Sequence, residues 1–164
     1  MLVDGHGGAK MNSIPTDCVV RGYMSPDEFE LLKEFLPQFV DMIRGEVVPA
    51  DEKFEITFEQ VTDTTDFSAP WRDVESAEIV NFLSLVPDGQ IATDQLVEYK
   101  LPRTSSNLGI FDLNSDRCEG TFLTRSSVNT ERDWVVEQIC RHGVLFGFKN
   151  KSIKAFPAWQ PDAK

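Results

Sequence analysis

The chain has 164 residues, about one domain with a tail, and its 41% hydrophobic, 10% aromatic and 26% charged residues are ordinary for a folded globule. Its 27 Asp and Glu against 16 Lys and Arg leave a formal charge of −11. That sum argues against a basic nucleic-acid binder and against a binder of anionic membranes, and no stretch approaches the roughly 20 apolar residues of a spanning helix.

The charge is divided along the chain. Residues 1–99 hold 20 acids and 6 bases, whereas residues 100–164 hold 7 acids and 10 bases. Residues 1–15 lack the basic and apolar regions of a secretory signal and read as a flexible, glycine-rich leader, with Met11 a candidate start. Three cysteines, Cys18, Cys118 and Cys140, form no CxxC pair and suggest reduced thiols in a cytoplasmic protein.

Thr16–Tyr23 carries Cys18-Val19-Val20 and predicts a first strand. Ser25-Pro26-Asp27-Glu28 then combines an N-cap serine, proline at the first helical position and a glutamate three residues after the cap. Phe29, Leu32, Leu36, Phe39, Val40 and Ile43 follow at spacings of three and four, the buried stripe of a helix that Arg44 and Gly45 should close. Pro37 within it predicts a kink or two abutting helices.

Lys53–Val61 alternates, with Phe54, Ile56 and Phe58 on one side and Glu55, Thr57 and Glu59 on the other, the pattern of a half-buried strand with an acidic outer face. Thr62–Ala69 reads as a polar loop with Asp63 and Asp66. A second helix is expected over Asp73–Val86, ended by Pro87-Asp88-Gly89. Strands are expected at Leu96–Leu101, at Leu108–Leu113 and Gly120–Thr124 around a polar turn, and at Val144–Phe148 and Ser152–Phe156. A third helix should begin with the Thr130/Asp133 capping pattern and end before Gly143.

Together these elements predict an α+β fold: a single domain over 16–159, a largely antiparallel sheet, and about three helices packed mainly on one face. A loose tail, 160–164, would follow. The uncovered sheet face is where a binding surface would lie.

The chemistry-bearing candidates are sparse. Asp112-Leu113-Asn114-Ser115-Asp116 opens like a calcium loop, but Arg117 stands where glycine is needed and Leu123 where the bidentate glutamate is needed. Cys140 and His142 are two residues apart on a helix and point in different directions. Lys149, Lys151 and Lys154 with Phe146, Phe148 and Phe156 only loosely imitate a nucleic-acid surface. No catalytic residue, metal site or cofactor is expected from these patterns.

The acids suggest a surface instead: Glu55, Glu59, Asp63 and Asp66, then Glu75 and Glu78, with Trp71 as an aromatic anchor. The first expectation is therefore a small acidic protein that binds and inhibits or regulates a basic protein partner, in the manner of an immunity protein, an antitoxin or a nucleic-acid mimic. Direct binding to nucleic acid or membrane is not expected. The alternatives are an enzyme or small-ligand domain with a pocket between sheet and helices, drawing on His142, Cys140, Asp112 and Arg103, or a self-associating assembly component.

Overall fold

One long strand organises the sheet. The computed structural model describes residues 1–47, 52–94, 102–151, 153 and 158. They carry five strands and three helices: β1 (Leu2–Gly7), β2 (Cys18–Gly22), α1 (Pro26–Val47), α2 (Asp73–Leu85), β3 (Gly89–Thr93), β4 (Pro102–Leu113), β5 (Cys118–Ser126) and α3 (Asn129–Leu145). All pairings are antiparallel, so the expected α+β class with an antiparallel sheet is what the protein has. Two compact units result: Met1–Gly22 with Ser68–Lys164, and Tyr23–Phe67.

In the first unit β5 lines one edge of β4 from Thr104 to Leu113. The other edge of β4 is shared end to end. β3 takes Pro102–Ser106, and β1 takes Phe111–Leu113 while pairing β2 on its far side. The residues between lie outside both pairings; one carboxylate takes a backbone amide there, and a side-chain amide of β4 holds the neighbouring turn. Asp88, just before β3, accepts from the Leu108 amide at 2.7 Å, and the Asn107 side-chain amide donates to the carbonyls of Met11 and Ser13.

Residues expected to be flexible instead join the sheet. Leu2–Gly7 is a sheet strand, and the turn after it braces β4. A Cβ on Gly109 would sit 2.5 Å from the Met11 Cα, and Gly8 adopts φ +71° with its own Cβ position 2.1 Å from the Gly109 oxygen. Both positions exclude a side chain.

On the helix side of this sheet Val3, Ile79, Phe82, Val86, Leu113 and Val135 are buried. The Phe82 ring meets Phe122 edge-on at 6.1 Å and Phe148 at 4.6 Å. Thr104, Ser106 and Ser126 are buried there as well, and each hydroxyl is satisfied. Thr104 meets Ser126 at 2.8 Å and donates to Glu131, while Ser106 meets Thr124 at 3.1 Å.

Several expectations change. α3 starts after Val128 without a side-chain cap, because the Ser126 hydroxyl takes the Val128 amide, and it runs through Gly143 to Leu145. Val144–Leu145 is therefore helix rather than strand, and Phe148 packs on Phe82. β3 occupies Gly89–Thr93. The strands expected at Leu96–Leu101 and Ser152–Phe156 fall largely outside the described residues, as does Trp159.

In the second unit the capping box forms as the sequence predicts. The Ser25 hydroxyl accepts from the Glu28 amide at 3.2 Å, and the Ser25 amide donates to the Glu28 carboxylate at 2.7 Å. α1 is one helix of 22 residues, continuous through Pro37 and Gly45. Pro37 is exposed, so the lost backbone bond faces water, and the next turn gains a Gln38 amide bond to the Glu34 carbonyl. The segment expected as a strand, Lys53–Val61, makes no ladder. Phe58 instead stacks edge-on against Phe29 at 5.5 Å, so the alternation serves packing on a helix.

Candidate functional site

Strand alternation assigns the polar residues of the first unit to two faces. Thr104, Ser106, Thr124 and Ser126 point to the helices, so Ser105 and Arg125 point away from them. Ser105 pairs with Arg125 on one side and with Gln90 on the other, making a lateral row Gln90–Ser105–Arg125 across three strands. The Gln90 amide is held by Thr93 at 2.6 Å. Arg125 is exposed and has no carboxylate partner among the described residues.

Asn107 follows Ser105 on this face, and its bonds to Met11 and Ser13 fix the Lys10–Ser13 turn beside the row. The turn is closed internally by the Ser13 amide and hydroxyl, both donating to the Lys10 carbonyl at 3.3 Å. Lys10, Met11 and Asn12 are exposed at its tip, and Lys10 too has no acidic partner among the described residues.

The far end of the same face is charged but internally matched. His6 Nδ1 lies 2.6 Å from Asp112, its cross-strand neighbour, and Arg21 grips Asp4 with two bonds of 2.7 and 2.6 Å. Glu119, opposite Asp112, is held by Lys151 and Arg117, and the Lys151 bond keeps its carboxyl below the ordinary range. Arg125 is therefore a cation with its charge unspent, where its neighbours at the other end have spent theirs.

The residues named from sequence scatter. Glu55, Glu59, Asp63 and Asp66 lie exposed in the second unit, with Asp63 bonded to the Thr65 amide and hydroxyl, which lowers its pKa. Glu75 and Glu78 lie on α2, and Glu75 is bound by Arg72. Trp71 is tied into the first unit, its indole donating to the Asn114 carbonyl at 2.8 Å and its amide to the Leu2 carbonyl.

The alternative set does not converge either. Asp112 serves His6, and Arg103 clamps Glu131 at 2.8 Å. Cys140 and His142 border an open depression of about 540 Å³ along the last turns of α3, where His142 Nδ1 is buried without a hydrogen-bond partner among the described residues. Burial is the main cause raising all three thiols, Cys118 to about 11, so none offers a thiolate at neutral pH. Asn114 and Asp116 form the β4–β5 turn rather than a cation loop. Among the described residues, no three His, Cys, Asp or Glu side chains gather in a way that could hold a metal ion, and no helix is long and apolar enough to cross a membrane.

The sequence reading missed Lys10, Ser105 and Arg125. The available signal was the alternation of Thr124-Arg125-Ser126: placing Ser126 inward puts Arg125 outward, but only the register with β4 shows which hydroxyl is buried.

No family model matches the chain. The chain is similar to the cytosol non-specific dipeptidase of Escherichia coli (strain K12), 26% identical over 163 residues that cover 99% of the chain and 33% of that protein. It also resembles the crystal structure of aminoacylhistidine dipeptidase from Vibrio alginolyticus, with a TM-score of 0.85 and 23% identity over 99% of the chain and 32% of that structure. The chain thus spans about a third of the length of each. These likenesses overturn the expectation of an inhibitor or immunity protein and favour the enzyme or small-ligand alternative.

Proposed function

We propose that this chain is a peptide-recognising domain of the dipeptidase type, acting in the cytosol, which holds a short peptide by its terminal carboxylate on the open sheet face. The observation that carries this reading is the likeness along 99% of the chain to one third of a dipeptidase. Arg125 supports it, because an arginine fork suits a carboxylate and this one is not already engaged among the described residues. The hydrolytic groups would belong to the other two thirds of such a protein.

Calorimetric titration of the full chain with Ala-Ala tests the reading. Binding is expected, weakened at least about fivefold by R125Q, the loss of one charge-assisted contact at an exposed site. Binding unchanged in R125Q would sink the assignment of Arg125, and no binding at all would sink the reading.

A second reading has one observation behind it. Asp112 on Nδ1 leaves His6 Nε2 outward, the arrangement of an oriented general base. Hydrolysis of Ala-Ala by the chain alone, lost in H6Q, would favour a self-sufficient enzyme over a recognition domain.

A further inference from the structure

We propose that Lys10 is a specificity-determining residue that selects peptides ending in aspartate or glutamate; the inference rests on the peptide-binding reading of Arg125. Two cations without an acidic partner among the described residues, Lys10 and Arg125, flank one small area of the open face. Arg125 pairs with Ser105, and Asn107 lies two residues further along β4 on the same face. Diagonal cross-strand neighbours are separated by about 7–8 Å, so Arg125 and Asn107 are within one long side chain of each other.

Asn107 in turn touches the Lys10–Ser13 turn, with 3.2 Å to the Met11 carbonyl and 2.8 Å to that of Ser13. The Lys10 carbonyl oxygen lies 2.7 Å from the Cβ position of Gly109, so the turn is seated directly on β4. Lys10 and Arg125 can therefore address two anionic groups of one small molecule. A planar guanidinium fits the main-chain carboxylate, and the mobile ammonium, a point charge on a flexible stem, fits a side-chain carboxylate of variable length.

The rest of the surface sharpens the assignment. At the other end of the face Arg21, Arg117 and Lys151 are each bound to a carboxylate of the chain, so a dicarboxylate gains little there. A braced turn also removes the backbone part of the ordering cost at Lys10, because Asn107 and the two Ser13 bonds already fix the main chain there.

The test is a titration of the full chain with Ala-Glu, Ala-Gln and Ala-Ala, in the unaltered protein and in K10Q, K10R and R125Q. Ala-Glu is expected to bind about fivefold more tightly than Ala-Gln, an exposed ion pair's contribution. K10Q should erase that difference and leave Ala-Ala unchanged, K10R should keep it, and R125Q should weaken all three peptides. Equal affinity for Ala-Glu and Ala-Gln in the unaltered protein overturns the role of Lys10 while leaving the peptide-binding reading intact. So does a K10Q variant that weakens all three peptides alike, which would mark a structural effect. Failure of every peptide to bind overturns both.

Discussion

The two units differ in what holds them and in what they carry. Tyr23–Phe67 has 12 acids and 3 bases, a charge of −9, while the remainder has 15 acids and 13 bases, a charge of −2. Among the described residues, six of the seven buried hydrophobic ones belong to the sheet unit, and the helical unit supplies Val40. The acidity of the whole chain is therefore chiefly a property of a lightly cored helical unit. The residues proposed to hold a ligand lie in the nearly neutral one. A bulk charge directed attention to a basic partner because it averaged over two unlike surfaces.

The most decisive way to break this comparison is to empty each core. Phe82→Ala removes a ring that packs on Phe122 and Phe148 and should cost about 3–5 kcal/mol in denaturant unfolding followed by tryptophan fluorescence. Trp71 and Trp134 lie in the sheet unit and Tyr23–Phe67 contains no tryptophan, so this signal does not report on the helical unit. Phe58→Ala, at a ring 37% exposed, should cost less than about 1 kcal/mol, read by hydrogen exchange of α1 amides. Similar costs at the two sites would mean that the helical unit is as well cored as the sheet.

Next in size is the brace on β4. Gly109→Val puts two methyl groups where the Met11 backbone already lies, and overpacking against backbone should cost about 1–3 kcal/mol. The Asn107 amide resonances should shift with it, since the Lys10–Ser13 turn has to move. A variant that folds with unchanged stability and an unmoved turn would show that the seat is looser than drawn here.

How much of this could be read in advance follows from the range of the interactions. The Ser25 box was legible because its two bonds span three residues, and the α1 stripe because a helix meets its core at a fixed period. β1 was not, since Leu-Val-Asp-Gly-His-Gly has no alternating apolar face and owes its strand to β2 and β4. Lys53–Val61 shows the converse error: its alternation is real, but no strand among the described residues pairs with it. Arg125 carries only the weak local signal of its alternation with Thr124 and Ser126, and its lack of a carboxylate partner among the described residues is known only once the neighbouring strands are in register.

Acidification separates the units more gently. The Glu131 carboxyl is lowered first by the Thr104 hydroxyl and then by Arg103. A group with a depressed folded pKa stabilises above its unfolded value, about 4.3 for glutamate, and that contribution is lost as pH falls through the folded value. The anchor of α3 on β4 should therefore hold at pH 5 and loosen below about pH 4. Thr104→Val should raise the Glu131 midpoint, observed directly in its carboxyl carbon shift. A midpoint that ignores the substitution would transfer the effect to Arg103.

Salt should give the smallest effect and the most diagnostic sign. Between 0.01 and 1 M the screening length falls from about 30 to about 3 Å. α1 carries six acids and two bases, so screening removes more repulsion than attraction, even though the Glu30–Lys33 pair is weakened too. Its stability should rise by a few tenths of a kcal/mol. The sheet unit is nearly neutral overall and is laced by Arg21–Asp4, Arg103–Glu131 and Arg141–Glu137, so screening there removes mainly attraction. Amide exchange in α1 should slow with added salt while the fluorescence-monitored midpoint of the sheet unit stays level or falls. A common shift in one direction would mean that the two units respond as a single electrostatic body, and the division of charge between them would lose its physical consequence.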